Sequence, residues 1–176
     1  MRCRDRQGRT QPHARIAVAA SLALLSAAGV ARAECALEHA TYADRENRAV
    51  LQFAPTGEAA AVTNSFKLTI GDELALDGIV MWTEGVARPN GMLMHKCPDG
   101  DVTGEELIAC TAWQGVIYTV DGSGTVGLLP DEGAPAPKTL ILPDLGPALS
   151  AWSSAYGESE LVSVPWDVFA FKGCQK

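Results

Sequence analysis

The 176-residue chain contains no G-x-S-x-G, no H-E-x-x-H and no phosphate-binding loop. That leaves it without the sequence signs of a nucleophile elbow, a zinc-protease helix or a nucleotide cradle. It has three histidines, and beyond residue 33 only His39 and His95 remain as histidine bases. No C-x-x-C occurs, so the usual dithiol redox motif is missing. No stretch after Val30 is long and apolar enough to span a bilayer as a helix. No internal repeat is visible.

Positive charge is scarce outside the N-terminus. Six of the 14 Lys and Arg and one of the 21 Asp and Glu lie within residues 1–33, so 34–176 carries 8 basic against 20 acidic residues, a net −12. Such a surface repels nucleic acid and anionic headgroups, and attracts a basic partner or a cation. Solubility alone is the plainer reading of the same charge.

What the chain does have starts at its N-terminus. Arg2, Arg4, Arg6, Arg9 and Arg15 precede a short apolar run, Ile16 to Val30, and then Ala31-Arg32-Ala33. A cationic region, a short apolar region and small residues at −3 and −1 are the marks of a cleaved secretory signal. The expected division is a signal over 1–33 and one domain over 34–176, exported to a bacterial periplasm by the ordinary route. Glu34 rather than a small residue precedes Cys35, which argues against a lipoprotein, and no adjacent arginines form a twin-arginine signal.

An oxidising compartment makes Cys35, Cys97, Cys110 and Cys174 two disulfides. Four cysteines allow three pairings. The favoured one joins Cys97 to Cys110, tying a 92–96 strand to the end of a 103–112 helix, and Cys35 to Cys174, joining the two ends of the domain.

Short apolar segments punctuated by Gly and Pro fill the rest. Strands are expected at 49–53, 65–70, 73–76, 79–82, 92–96, 115–120, 125–129, 138–142, 161–164 and 167–172, with turns at Asp77-Gly78, Asn90-Gly91 and Asp121–Gly124. Thr103-Gly104-Glu105-Glu106 opens a helix like a capping box, and Pro147 suits the first turn of a second helix ending at Gly157. Residues 36–48 read as either a helical turn or coil, and 130–137 as an extended surface loop. The fold class is therefore mainly β: a single antiparallel β-sandwich or small β-barrel with one or two short helices, stapled by disulfides.

Three places can carry chemistry. Met81, Met92 and Met94 are the only methionines after Met1 and flank Asn90-Gly91, with Trp82 and His95 nearby. Thioethers are soft ligands that select Cu(I). Met92 and Met94 share a strand face that His95 does not, so His39 would supply an imidazole. These residue types are similar to those of small periplasmic copper carriers of β-barrel type. Core filling is the plainer role for such methionines. Asp99, Asp101, Thr103 and Glu105 reproduce the first half of an EF-hand-like calcium loop, but the position that needs a bidentate Glu is Cys110. The alternative for that loop is a helix cap. Trp166, after Pro165, is either a binding anchor or a plug at a barrel end, on what the proline marks as an edge strand.

No cofactor beyond copper or calcium is indicated. Hydrolysis through paired carboxylates or a histidine ranks last. The leading expectation is a non-enzymatic binding or structural protein with a basic protein partner, such as a lysozyme-type enzyme. In size, β content and disulfides it resembles the small periplasmic lysozyme inhibitors at the level of class. Metal handling is the second reading.

Overall fold

A computed structural model describes residues 35–176, apart from 58–60, 73, 83–84, 86, 157–160 and 162. The proposed signal at 1–33 and the cleavage point before Glu34 lie outside the described residues.

A 3-10 turn at Leu37–His39 leads into β1 (Ala40–Asp44), β2 (Ala49–Ala54), β3 (Val62–Ile70), β4 (Leu74–Met81) and β5 (Asn90–Met94). Then come α1 (Gly104–Cys110), β6 (Thr111–Gly115), β7 (Tyr118–Val120), β8 (Val126–Leu128), β9 (Thr139–Ile141), α2 (Leu145–Tyr156) and β10 (Val168–Cys174). All ten strands form one antiparallel sheet in the order β6-β5-β4-β3-β2-β1-β10-β9-β7-β8.

That order forces the sheet to curl. β6 stands at one end and β7 next to the other, yet only Val116 and Ile117 separate them in sequence. Three Cα steps cover at most about 11 Å. The single extended run 111–120 therefore leaves one end of the sheet and joins the other, closing a half-barrel around Tyr42, Leu51, Phe53, Leu68, Leu76, Leu93, Leu140 and Phe169. Leu145, Leu149 and Trp152 of α2 complete this core, spaced so that one helical face is apolar.

Both disulfides have the favoured pairing. Cys35–Cys174 closes a separation of 139 residues and Cys97–Cys110 one of 13. Asp121–Gly124 is a turn as expected: Asp121 Oδ1 accepts from Ser123 N at 2.8 Å and Thr125 N at 3.0 Å. Thr103 and Glu106 form the capping box that starts α1.

Elsewhere the structure departs from the sequence pattern. Asp77-Gly78 is not a turn but the middle of β4, where Gly78 pairs with Phe66. A Cβ at Gly78 would lie 2.3 Å from Phe66 Cε2, so this glycine serves a close approach rather than a reversal. Asn90-Gly91 also lies within a strand, and a Cβ on Gly91 would come within 3.0 Å of Ile117 Cδ1. Ala40–Asp44 is a strand because four of its five residues are buried, which erases any alternation. The helix expected to reach 112 stops at Cys110, and Thr111–Gly115 pairs with β5 instead. No strand forms at Ser163 and Val164. β10 is not an edge: it pairs with both β1 and β9. Pro165 precedes the ladder, which begins at Val168, so its missing N–H removes no sheet bond.

The 130–137 loop is a strap tied down along its length. Asn64 Nδ2 donates to Pro130 O, Thr56 N and Oγ1 to Glu132, Gly133 N to Glu38, and Tyr42 OH to Pro137 O. Tyr42 is fully buried, edge-on to Phe53 and Phe171, and burial pushes its phenol well above the usual range. A phenol whose pKa is raised by folding contributes stability that is complete below its unfolded value of about 10 and declines above it. Urea midpoints should therefore fall as pH rises past about 10. Tyr42→Phe should remove that part of the decline while losing the bond to Pro137. An identical alkaline slope in both proteins would count against the buried phenol.

Candidate functional site

Two outward surfaces gather the residues that the sequence singles out. The first is built where the chain enters β10. Asp167 turns inward, and its carboxylate accepts from Asp144 N at 2.9 Å and Gly146 N at 3.4 Å, holding the start of α2. A Cβ at Gly146 would lie 2.7 Å from Val164 Cγ1, so α2 sits tightly against the 164–165 segment. With Asp167 turned in, Trp166 must turn out. The expected alternation is present: Trp166, Val168 and Ala170 are exposed, whereas Phe169 is buried.

Trp166 is 46% exposed and does not plug a barrel end. With Pro147, Val164, Pro165 and Val168 it lines a shallow groove of about 370 Å³. The β1–β2 turn supplies the polar side. Asp44 Oδ1 accepts from Arg48 N and Ala49 N, and Asn47 takes a left-handed conformation, φ 55°. This turn places the Arg45 guanidinium 3.5 Å from the Trp166 ring centroid. Glu46 accepts from Trp166 Nε1 at 3.4 Å and pairs with both Arg45 and Arg48.

The second surface is the outer face of β4 and β5. Cα partners are Met81↔Asn90, Ile79↔Met92 and Asp77↔Met94. Residues 76, 78 and 80 face the core with Gly91 and Leu93, so Met81, Ile79, Met92 and Met94 share the opposite face. All four are half-buried. The methionines are thus not core fillers, because Val80 and Leu93 take the interior positions.

His95 lies past the end of β5. Its Nδ1 is 3.2 Å from Ala75 O and its ring is edge-on to the core residue Trp152, away from the methionine face. His39 is in the 3-10 turn before β1, close enough to Glu132 to help depress that carboxylate, after the larger effect of the Thr56 hydrogen bonds. β2 and β3 stand between β1 and β4, so His39 does not join the methionines.

At the Asp99 loop, Thr103 Oγ1 receives Glu106 N and the Glu106 carboxylate receives Thr103 N at 2.8 Å. These bonds hold Glu106 below the usual carboxylate range. Asp99, Asp101 and Glu105 are exposed, and Cys110 is in a disulfide. Among the described residues no three His, Cys, Asp or Glu side chains group as metal ligands.

Trp166 and the methionines were legible in the sequence. Arg45 and Glu46 were not, because what recruits them is a contact between residues about 120 positions apart. Among the described residues no helix is long and apolar enough to cross a membrane. No protein-family model matches the chain, and neither a curated protein nor a solved structure does.

Proposed function

We propose that this chain is an exported, disulfide-stapled binding module whose partner is a basic protein, with Trp166 as the anchor. The observation that carries this reading is the Trp166 groove: an exposed indole among apolar walls, bonded to Glu46. The Arg45 guanidinium stacked on that indole is the kind of group a basic partner would present there. Tryptophan is enriched among the few residues that carry most of an interface's binding energy. The net −12 of residues 34–176 adds long-range attraction for a cationic protein. Export fits the two disulfides and the N-terminal sequence pattern. The candidate partner class is a basic lysozyme-type enzyme that attacks the envelope.

Calorimetric titration with such an enzyme tests the reading. Trp166→Ala should weaken binding by about 2 kcal/mol or more, the scale of an interface hot spot. Raising the salt should weaken it further. Trp166 lies outside the core, so circular dichroism of the variant should show the same fold. Affinity indifferent to both the substitution and the salt would overturn the proposal.

A further inference from the structure

We propose that the outer face of β4 and β5 is an oxidation site, where Met81 and Met92 take oxygen from a peroxide and become sulfoxides while the fold stays intact. The step is a two-electron oxygen transfer. The thioether sulfur attacks one oxygen of hydrogen peroxide, the O–O bond breaks, a sulfur–oxygen bond forms and water leaves. Sulfur is oxidised and the peroxide is reduced.

What this step does to a protein depends on where the new oxygen lands. A sulfoxide turns a flexible apolar side chain into a polar one, and inside a core that disrupts packing. No core position is involved here. Leu76, Val80 and Leu93 hold the interior side of β4 and β5 and are buried. Met81, Met92 and Met94 are half-buried on the opposite side.

The cross-strand partners separate the three methionines. Met81 stands opposite Asn90, and Met92 opposite Gln114. Side chains paired in this way have Cβ atoms about 4.5–5.5 Å apart. Each amide carries two N–H donors, and among the described residues no hydrogen bond occupies either one. A sulfoxide oxygen formed at Met81 or Met92 therefore has a donor within reach at the next strand. Met94 is different, because it stands between Asp77 and Thr111. The Asp77 carboxylate is 3.2 Å from Lys67 Nζ and only accepts, and the Thr111 hydroxyl already donates to Leu107 O at 2.7 Å. An oxygen on Met94 gains no donor from either neighbour, which makes it the costly one of the three.

The experiment is a titration of the purified protein with hydrogen peroxide, followed by intact mass, peptide mapping and urea unfolding. Met81 and Met92 should gain one oxygen each without denaturant. In Met94→Leu, both oxygens should leave the urea midpoint where it was. In the double variant Met81→Leu with Met92→Leu, oxygen on Met94 should lower it. Leucine for methionine conserves volume, so both variants should fold. Should either fail, the parent protein decides: the chromatographic fraction oxidised at Met81 and Met92 but not at Met94 should keep its near-ultraviolet circular dichroism. Protection of Met81 and Met92 until urea is added, or a midpoint that falls when Met94→Leu is oxidised, would overturn the proposal. An unchanged midpoint in the oxidised double variant would remove the role given to the cross-strand amides. None of these results touches the Trp166 reading, because the two surfaces share no residue.

Discussion

Removing the Cys35–Cys174 disulfide, with both cysteines changed to alanine, is expected to cost about 5 kcal/mol, against about 3 kcal/mol for Cys97–Cys110. The difference follows from the separations of 139 and 13 residues. A cross-link removes loop freedom from the unfolded chain, and a longer loop has more freedom to lose. The longer bridge also fastens a seam. Ala40 of β1 pairs with Cys174 itself, and Gln175 N donates to His39 O at 2.7 Å. The segment that carries Cys35 holds the strap as well, with Leu37 N bonded to Ala134 O and Ala136 N to Cys35 O. Urea unfolding of the two double variants measures both losses. A larger loss from the short bridge would refute the loop-length argument and place the weak point of the fold at α1.

Trp113→Ala is expected to cost about 3–5 kcal/mol, the range for deleting a large buried aromatic side chain. Trp113 is 3% exposed, on the run that closes the half-barrel. Its ring lies over two glycines. A Cβ at Gly115 would sit 2.8 Å from Cζ2, and one at Gly91 3.1 Å from Cζ3. On that side the ring meets glycine backbone, which has no side chain to move into the hole. Trp113 Nε1 also donates to Pro143 O at 2.9 Å, just before α2. Its loss leaves that carbonyl without this partner. Trp113→Phe keeps most of the packing and loses the hydrogen bond, for about 1–3 kcal/mol. Denaturant unfolding of the pair separates cavity from bond. A cost below about 1 kcal/mol for the alanine variant would mean that the site collapses freely, contrary to the glycine geometry.

The glycines also explain where the sequence pattern misleads. Asp-Gly and Asn-Gly are strong turn signals because glycine tolerates a left-handed backbone. Glycine serves equally well where a ring must approach the backbone. Gly78 under Phe66 and Gly91 under Trp113 and Ile117 are of that second kind. The two uses look the same in one dimension, because the aromatic partner lies on another strand. The one-residue placement of the methionines was legible for the opposite reason. A period of two is local, and it survives whichever strands pair.

The sequence by itself determined a mainly β chain with short strands, a capped helix at Thr103, cysteines paired in two bridges, methionines on a face that His95 does not share, and a strongly acidic balance after residue 33. All of these depend on neighbours within a few residues or on composition. Only the tertiary structure decided that the sheet curls, that β10 lies between β1 and β9, that the 130–137 loop is tied down, and that Arg45 and Glu46 meet Trp166. It also decided that Val80 and Leu93, not the methionines, face the core. The reason is physical: local sterics and periodicity select an element, while burial against distant parts of the chain selects which element pairs with which, and which face meets water.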